Sequence, residues 1–175
     1  FFDALNMSDA NIDARIDAIQ RYRPVAVVGY VAPLALLARR MLDTGVRMQG
    51  LRGVLTGAEA LHQAERVVIE EAFGCKAFNT YGSREVMLMA AECSHFEGLH
   101  VCADHLLLET LDAHGRPVAS GKSGAVAITD FHNYGMPLVR YLNGDVASYV
   151  DRKCSCGRGL PLLATIDGRV LDLLK

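Results

Sequence analysis

The sequence contains no apolar run of the roughly 20 residues that a membrane-spanning helix requires. Its Phe1-Phe2-Asp3 start also lacks the basic and apolar regions of a secretory signal. Both absences point to a cytoplasmic protein with no membrane partner. Charge of one sign is missing as well, since 18 Lys and Arg stand against 20 Asp and Glu for a net charge of −2. Such a balance supplies neither a basic surface for nucleic acid nor an acidic tail, and leaves small molecules as the expected ligands. Low-complexity segments are absent, and no repeat is visible beyond an alternation of strand-like and helix-like runs. The five cysteines are odd in number, which suits free thiols or metal ligands better than a disulfide framework.

What is present is a chain of 175 residues, about half of them apolar, long enough to bury a core in one domain or two small ones. Ile12, Ile16, Ile19 and Tyr22 recur at helical spacing, with Ser8 or Asp9 to cap the helix and Pro24 to end it. Val25 to Gly29 is a short apolar run of the kind buried on both faces of a parallel sheet. Pro33 opens a second helix through Leu42, with Arg39 and Arg40 late and Gly45 just beyond. The unit then repeats. Gly53 to Gly57 is a strand, Glu59 to Phe73 a helix followed by Gly74, and Cys75 to Thr80 a third strand. This alternation predicts an α/β architecture, a parallel sheet with flanking helices and right-handed crossovers. Beyond Cys93 the runs are short and extended, at Leu106 to Leu111, Gly124 to Thr129, Leu138 to Tyr141 and Val146 to Val150. They predict a smaller antiparallel, barrel-like β subdomain.

Ligands of open α/β sheets bind beyond the carboxyl ends of the strands. Three turns are expected there, Gly29-Tyr30, Gly57-Ala58-Glu59 and Tyr81-Gly82-Ser83-Arg84-Glu85. In the last, glycine permits close backbone approach, tyrosine offers a flat face for a base, and Glu85 can hold a metal bound to phosphate. A plain strand-to-helix turn with a capping serine accounts for the same residues. In Met136 to Asp145, Asn143-Gly144-Asp145 is first a hairpin signal, although Asp145 is also suited to accept ribose hydroxyls. Cys154-Ser155-Cys156, with upstream Cys and His, can complete a closed tetrahedral zinc site. Cys93, His100, Cys154 and Cys156 are the expected ligands. His95 and Cys102 stand in reserve, and Cys75, in a predicted strand, is assigned to the core. Buried unpaired thiols are the alternative, but a loop rich in glycine and charge is poor core material.

In order and spacing these stretches resemble the adenylate-forming acyl-CoA ligase superfamily, and within it the phenylacetate-CoA ligase and capsule-biosynthesis-protein-like branch. The resemblance rests on Gly57-Ala58-Glu59, Tyr81 to Glu85, Glu92-Cys93 with Gly98-Leu99-His100, Met136 to Tyr141 with Gly144-Asp145, Cys154 to Arg158, and Gly168-Arg169. It implies activation of a carboxylic acid, in this branch an aryl acid, by ATP to an acyl-adenylate, followed by transfer to coenzyme A. It also implies roles. Gly57, Ala58 and Glu59 would border the adenine, and Asn79, Thr80, Tyr81 and Gly82 would cover its other face, with Ser83 in the same nucleotide-binding turn. Glu85, the catalytic residue of the set, would bind the magnesium on the phosphates. Asp145 would hold the ribose hydroxyls and Arg169 the ribose or phosphate, while the acid would lie toward Tyr30 and Tyr81.

The departures from the pattern are as informative. The family's Ser/Thr/Gly-rich phosphate loop, expected upstream, and its lysine-bearing C-terminal domain, expected downstream, have no counterpart here. Leu171 stands where relatives carry the first of two acids, leaving Asp172, and Asn143 replaces a common threonine with little expected effect. The expected organisation is an α/β subdomain at 1–100, a β-rich subdomain with the zinc loop at 101–167, and a hinge at 168–175. On this reading the chain is a partial nucleotide- and acyl-binding portion, inactive alone, whose uncovered apolar surface could form a homodimer. The alternative is a truncated, noncatalytic, zinc-stapled module that binds nucleotide or a partner chain.

Overall fold

The computed structural model describes residues 2–4 and 6–170, so the hinge expectation at Leu171 and Asp172 lies outside the described residues. The chain divides into two compact units, Phe1–Asn79 and Thr80–Lys175.

The first unit holds α1 (Asp9–Tyr22), β1 (Ala26–Tyr30), α2 (Val31–Asp43), β2 (Gly53–Gly57), α3 (Gln63–Phe73) and the start of β3 (Ala77–Ser83). Helices connect strands that pair in parallel, β1 with β2 and β2 with β3. α1 stops because Arg23 turns left-handed at φ 51 and returns its N–H to the Ile19 carbonyl at 2.9 Å, with Pro24 blocking continuation. α3 ends on Gly74 at φ 66, where glycine has no Cβ to strain. It begins at Gln63, four residues later than the sequence suggested. Ala58 takes φ 64, and the Glu59 carboxylate turns away to accept the Ala32 N–H at 2.7 Å. The core joins Ile12, Ile16 and Ile19 of α1 to Leu34, Leu37 and Met41 of α2, Ile69 and Phe73 of α3, and Val54 and Ala77 of the sheet. β1 departs from its expected two-sided burial. It ends the strand order, and Val28 is 76% exposed.

The second unit opens on the far half of β3. Arg84, Glu85 and Val86 form a tight turn into β4 (Met87–Glu92), which pairs antiparallel with β3. The Tyr81 to Glu85 stretch is therefore a β-hairpin and not a strand-to-helix turn. Its glycine answers to the hairpin itself, because a Cβ on Gly82 would run into the Met87 carbonyl, while Met87 takes φ 59. β5 (Leu99–Val101), β6 (Leu106–Leu111), β7 (Ser123–Asp130), β8 (Tyr141–Val150) and β9 (Leu162–Arg169) follow, in the spatial order β3-β4-β5-β9-β8-β7-β6. Their inward residues, among them Met89, Leu99, Leu106, Val126, Ile128, Ala147 and Leu163, share one core. The order stays open at β6, with no pairing among the described residues that closes a barrel.

Asn143-Gly144-Asp145 does not form the hairpin turn its composition suggests. Leu142 pairs with Ala127 and Val146 with Ala125, so β8 advances four residues while β7 advances two. The three residues form a bulge inside a continuing strand, with Gly144 at φ 83. Bulges of this kind re-aim side chains. No helix among the described residues is long and apolar enough to cross a membrane.

Phe73 is 1% exposed in the first unit's core, so Phe73→Ala should cost about 3–5 kcal/mol through lost transfer energy and an uncollapsed cavity. Urea unfolding checks this through a lower midpoint.

Candidate nucleotide site and metal centre

The bulge in β8 brings two side chains to the same point on β3. The Tyr81 hydroxyl donates to Asp145 Oδ2 at 2.8 Å, and Asn143 Nδ2 donates both to that oxygen, at 2.7 Å, and to the Tyr81 hydroxyl, at 3.0 Å. Asn143 Oδ1 accepts the Asp145 N–H at 3.1 Å. Arg169 is the register partner of Asp145 across β8 and β9, and its Nε lies 3.3 Å from Asp145 Oδ1. The Asp145 side chain is 13% exposed and that of Arg169 68%. The carboxylate is thus shielded and anchored on one oxygen, and faces an exposed cation on the other. Burial pushes the Tyr81 phenol upward, the Asn143 amide opposes this, and the Asp145 hydrogen bond adds to it. Tyr81 therefore stays protonated and a donor.

Glu85 stands exposed in the hairpin turn and accepts the Tyr141 hydroxyl at 3.1 Å on Oε1. The Ser83 side chain first, then its own backbone N–H and the Tyr141 hydroxyl, hold its carboxyl below the usual range. It is an ionised oxygen donor of the type that hard divalent cations prefer.

Of the other sequence-designated residues, Asn79, Thr80, Gly82 and Ser83 lie along β3 beside Tyr81. In the first unit, Tyr30 is the residue that caps α2, and Glu59, after Gly57 and Ala58, bonds to the first turn of that helix. A carboxylate at a helix N-terminus offsets the helix dipole, which gives Glu59 a structural task independent of any ligand.

The expected metal ligands come together. One donor atom from each of Cys93, His100, Cys154 and Cys156 lies within 4.8 Å of the others. Cys93 Sγ is 3.7 Å from Cys154 Sγ, and Cys156 Sγ is 3.4 Å from His100 Nε2. Tetrahedral zinc with sulfur at about 2.3 Å and nitrogen at about 2.0–2.1 Å requires edges of about 3.8 Å and 3.6 Å, so the donor set fits. His95 and Cys102 are not in the cluster, and Cys75 packs against the first unit's core. Backbone amides point at the sulfurs. His95 N–H approaches Cys93 Sγ at 3.5 Å. The Arg158 N–H, and then the Cys154 and Arg158 side chains, bring the Cys156 thiol down to about 7. The Cys156 N–H also lowers Cys154, but desolvation and the neighbouring thiols outweigh it and push that thiol up to about 11. Burial, then the Arg158 charge, favours neutral His100, the form that ligates.

Three features of the candidate site were not legible beforehand. Tyr141, read only as part of a motif, bonds Glu85, and Asn143, expected to matter little in place of a common threonine, bonds both Tyr81 and Asp145. The third is a clasp across the two cysteine loops. Glu97 accepts the Ser155 hydroxyl at 2.6 Å, the Ser155 N–H at 3.1 Å and Arg152 Nη1 at 3.1 Å, while the His95 ring lies 2.7 Å from the Ser155 hydroxyl. A separation of 58 residues hid it.

No family model matches the chain. It is 30% identical over 174 residues to the phenylacetate-coenzyme A ligase of Thermus thermophilus, covering 96% of this chain and 39% of that protein. Protein CapK of Staphylococcus aureus is 26% identical over 143 residues, covering 81% of this chain and 30% of its own length. The chain thus spans about two fifths or less of the curated relatives it matches. In fold it is similar to 2-hydroxyisobutyryl-CoA ligase, solved in complex with 2-HIB-AMP and CoA, with a TM-score of 0.82, 23% identity, and coverage of 94% of this chain and 38% of that one. Over most of its length the chain is thus a relative in sequence of the phenylacetate-CoA ligases and of the capsule protein, and it shares the fold of solved acyl-CoA ligases.

Proposed function

We propose that the chain supplies the nucleotide-binding part of a cytoplasmic, ATP-dependent acid–CoA ligase acting on an aryl acid. One observation carries this reading: a shielded carboxylate, Asp145, locked by Tyr81 and Asn143 on one oxygen and open to a solvated cation on the other. A carboxylate so held is a fixed acceptor for ribose hydroxyls. In the reaction, a carboxylate oxygen of the acid attacks the α-phosphorus of ATP and pyrophosphate leaves. The coenzyme A thiol then attacks the acyl carbonyl of the adenylate and AMP leaves. Asp145 orients the ribose through both steps, Arg169 lies where it can follow the ribose or the α-phosphate, and the Asn79 to Ser83 strand flanks the base. For the first unit, the resemblance assigns Gly57, Ala58 and Glu59 to the adenine and Tyr30 to the acid, and for the second it assigns Tyr81 to the acid as well. Magnesium bound by Glu85 would neutralise charge as anion meets anion.

The cysteine–histidine cluster is the second part of the reading. Cys93, His100, Cys154 and Cys156 hold a structural zinc, closed by four protein ligands with no position for substrate. The Glu97–Ser155 clasp keeps the two loops adjacent.

Calorimetry on the full-length gene product tests the nucleotide site. Asp145→Ala should weaken ATP binding about 10- to 100-fold, the scale of hydrogen bonds to a charged group, and Glu85→Ala should remove the magnesium dependence. Turnover that survives both substitutions would sink the assignment. Metal analysis tests the centre: one zinc per chain is expected, lost in the double variant Cys154→Ser, Cys156→Ser. Chelation should destabilise the Thr80–Lys175 unit more than the other, because closed zinc sites contribute directly to folding. A protein that is folded and free of zinc overturns it.

A further inference from the structure

We propose that Asn143 is a positioning residue that dedicates one oxygen of Asp145 to the protein and leaves the other for the ribose. The inference rests on the nucleotide reading of Asp145. Both hydrogens of the Asn143 amide are used, one on Asp145 Oδ2 at 2.7 Å and one on the Tyr81 hydroxyl at 3.0 Å. The Tyr81 hydroxyl in turn donates to the same Oδ2 at 2.8 Å, closing a three-membered ring of hydrogen bonds. Oδ2 therefore carries two internal donors. Among the described residues, Oδ1 is met by Arg169 alone, at 3.3 Å, and that side chain is 68% exposed. Oδ1 is the oxygen that a ribose hydroxyl meets, and Arg169 is the group that shares it or moves aside.

The geometry of the bulge explains why an amide serves here. Residues 143 to 145 are the extra length that β8 carries against β7, and Asn143 Oδ1 takes the Asp145 N–H at 3.1 Å. A single side chain thus fixes both the backbone and the carboxylate of Asp145. A threonine hydroxyl has one hydrogen and cannot donate to Tyr81 and Asp145 at once. Without the amide hydrogens, the terminal bond of Asp145 is restrained by Tyr81 on Oδ2 and by the exposed Arg169 on Oδ1. That torsion is intrinsically broad, and the ribose acceptor would no longer be a single oxygen in a single direction.

The test compares the affinities of the full-length gene product for magnesium-ATP and magnesium-2′,3′-dideoxy-ATP by calorimetry. Their ratio isolates the contribution of the ribose hydroxyls, expected to be about tenfold or more for hydrogen bonds to a carboxylate. Asn143→Asp keeps the acceptor for the Asp145 N–H and removes both amide hydrogens. It should bring the ratio close to unity near pH 8. The ratio should partly recover on acidification, as two adjacent carboxylates come to share a proton that restores a donor. The wild-type ratio should show no such recovery. A wild-type ratio in Asn143→Asp, alongside a collapsed ratio in Asp145→Ala, reduces Asn143 to a turn former and overturns the inference alone. An unchanged ratio in Asp145→Ala overturns the nucleotide reading beneath it. Should Asn143→Asp not fold, Asn143→Ala carries the same comparison of ratios.

Discussion

A carboxylate withdrawn from water must be met by donors, and the second unit is arranged around that requirement at Asp145. Its partners come from three strands: Tyr81 on β3, Asn143 on β8 itself, and Arg169 on β9. An orphaned buried charge would cost several kcal/mol, and each hydrogen bond to a charged group returns about 1.5–3 kcal/mol. Three strands far apart in sequence are therefore held in one relation by one side chain. The arrangement also leaves a chemical asymmetry. Oδ2 is bound by two neutral donors, and Oδ1 by an exposed cation.

That relation depends on irregularity in otherwise regular strands. β3 shifts register against β4 between Tyr81 and Gly82, and β8 carries its extra residues at Asn143 to Asp145. In a regular strand, side chains at positions 143 and 145 share a face but the backbone carries them straight on. The bulge, with Gly144 at φ 83, gathers both onto Tyr81. Glycine at that position meets a backbone requirement, and the ligand chemistry follows from it at one remove.

The parallel half was legible because helical periodicity and end signals agree. Ile12, Ile16 and Ile19 do face the core, and Gly74 does end α3. The grouping of Cys93, His100, Cys154 and Cys156 was legible because cysteines one residue apart in a loop of glycine and charge have few other uses. What was not legible depended on context. Asn-Gly-Asp signals a turn locally, yet pairing with β7 on both sides keeps the strand extended. The β3–β4 hairpin was hidden because its left-handed residue is Met87, a side chain that gives no such signal. β1 alternates exposed and half-buried residues, so one of its faces is left uncovered among the described residues, and local composition does not encode that.

β9 connects the two sites by simple geometry. The Cys154 to Cys156 loop precedes its start, Leu162 pairs with His100, and its last residue, Arg169, pairs with Asp145. A strand rises about 3.3 Å per residue, and a slip of one residue turns every side chain to the opposite face. Such a slip would move Arg169 off Asp145 and leave Oδ1 without its cation. Two register shifts already lie between β8 and β9, at Val146/Ala147 and Ser148/Tyr149, so pairing along this strand is not self-correcting by regularity alone. The end of β9 beside the cysteines is pinned by Leu162 and Leu163, both fully buried. Fixing that end fixes the distance to Arg169, and the oxygen of Asp145 that faces Arg169 depends on contacts made at the other end of the strand.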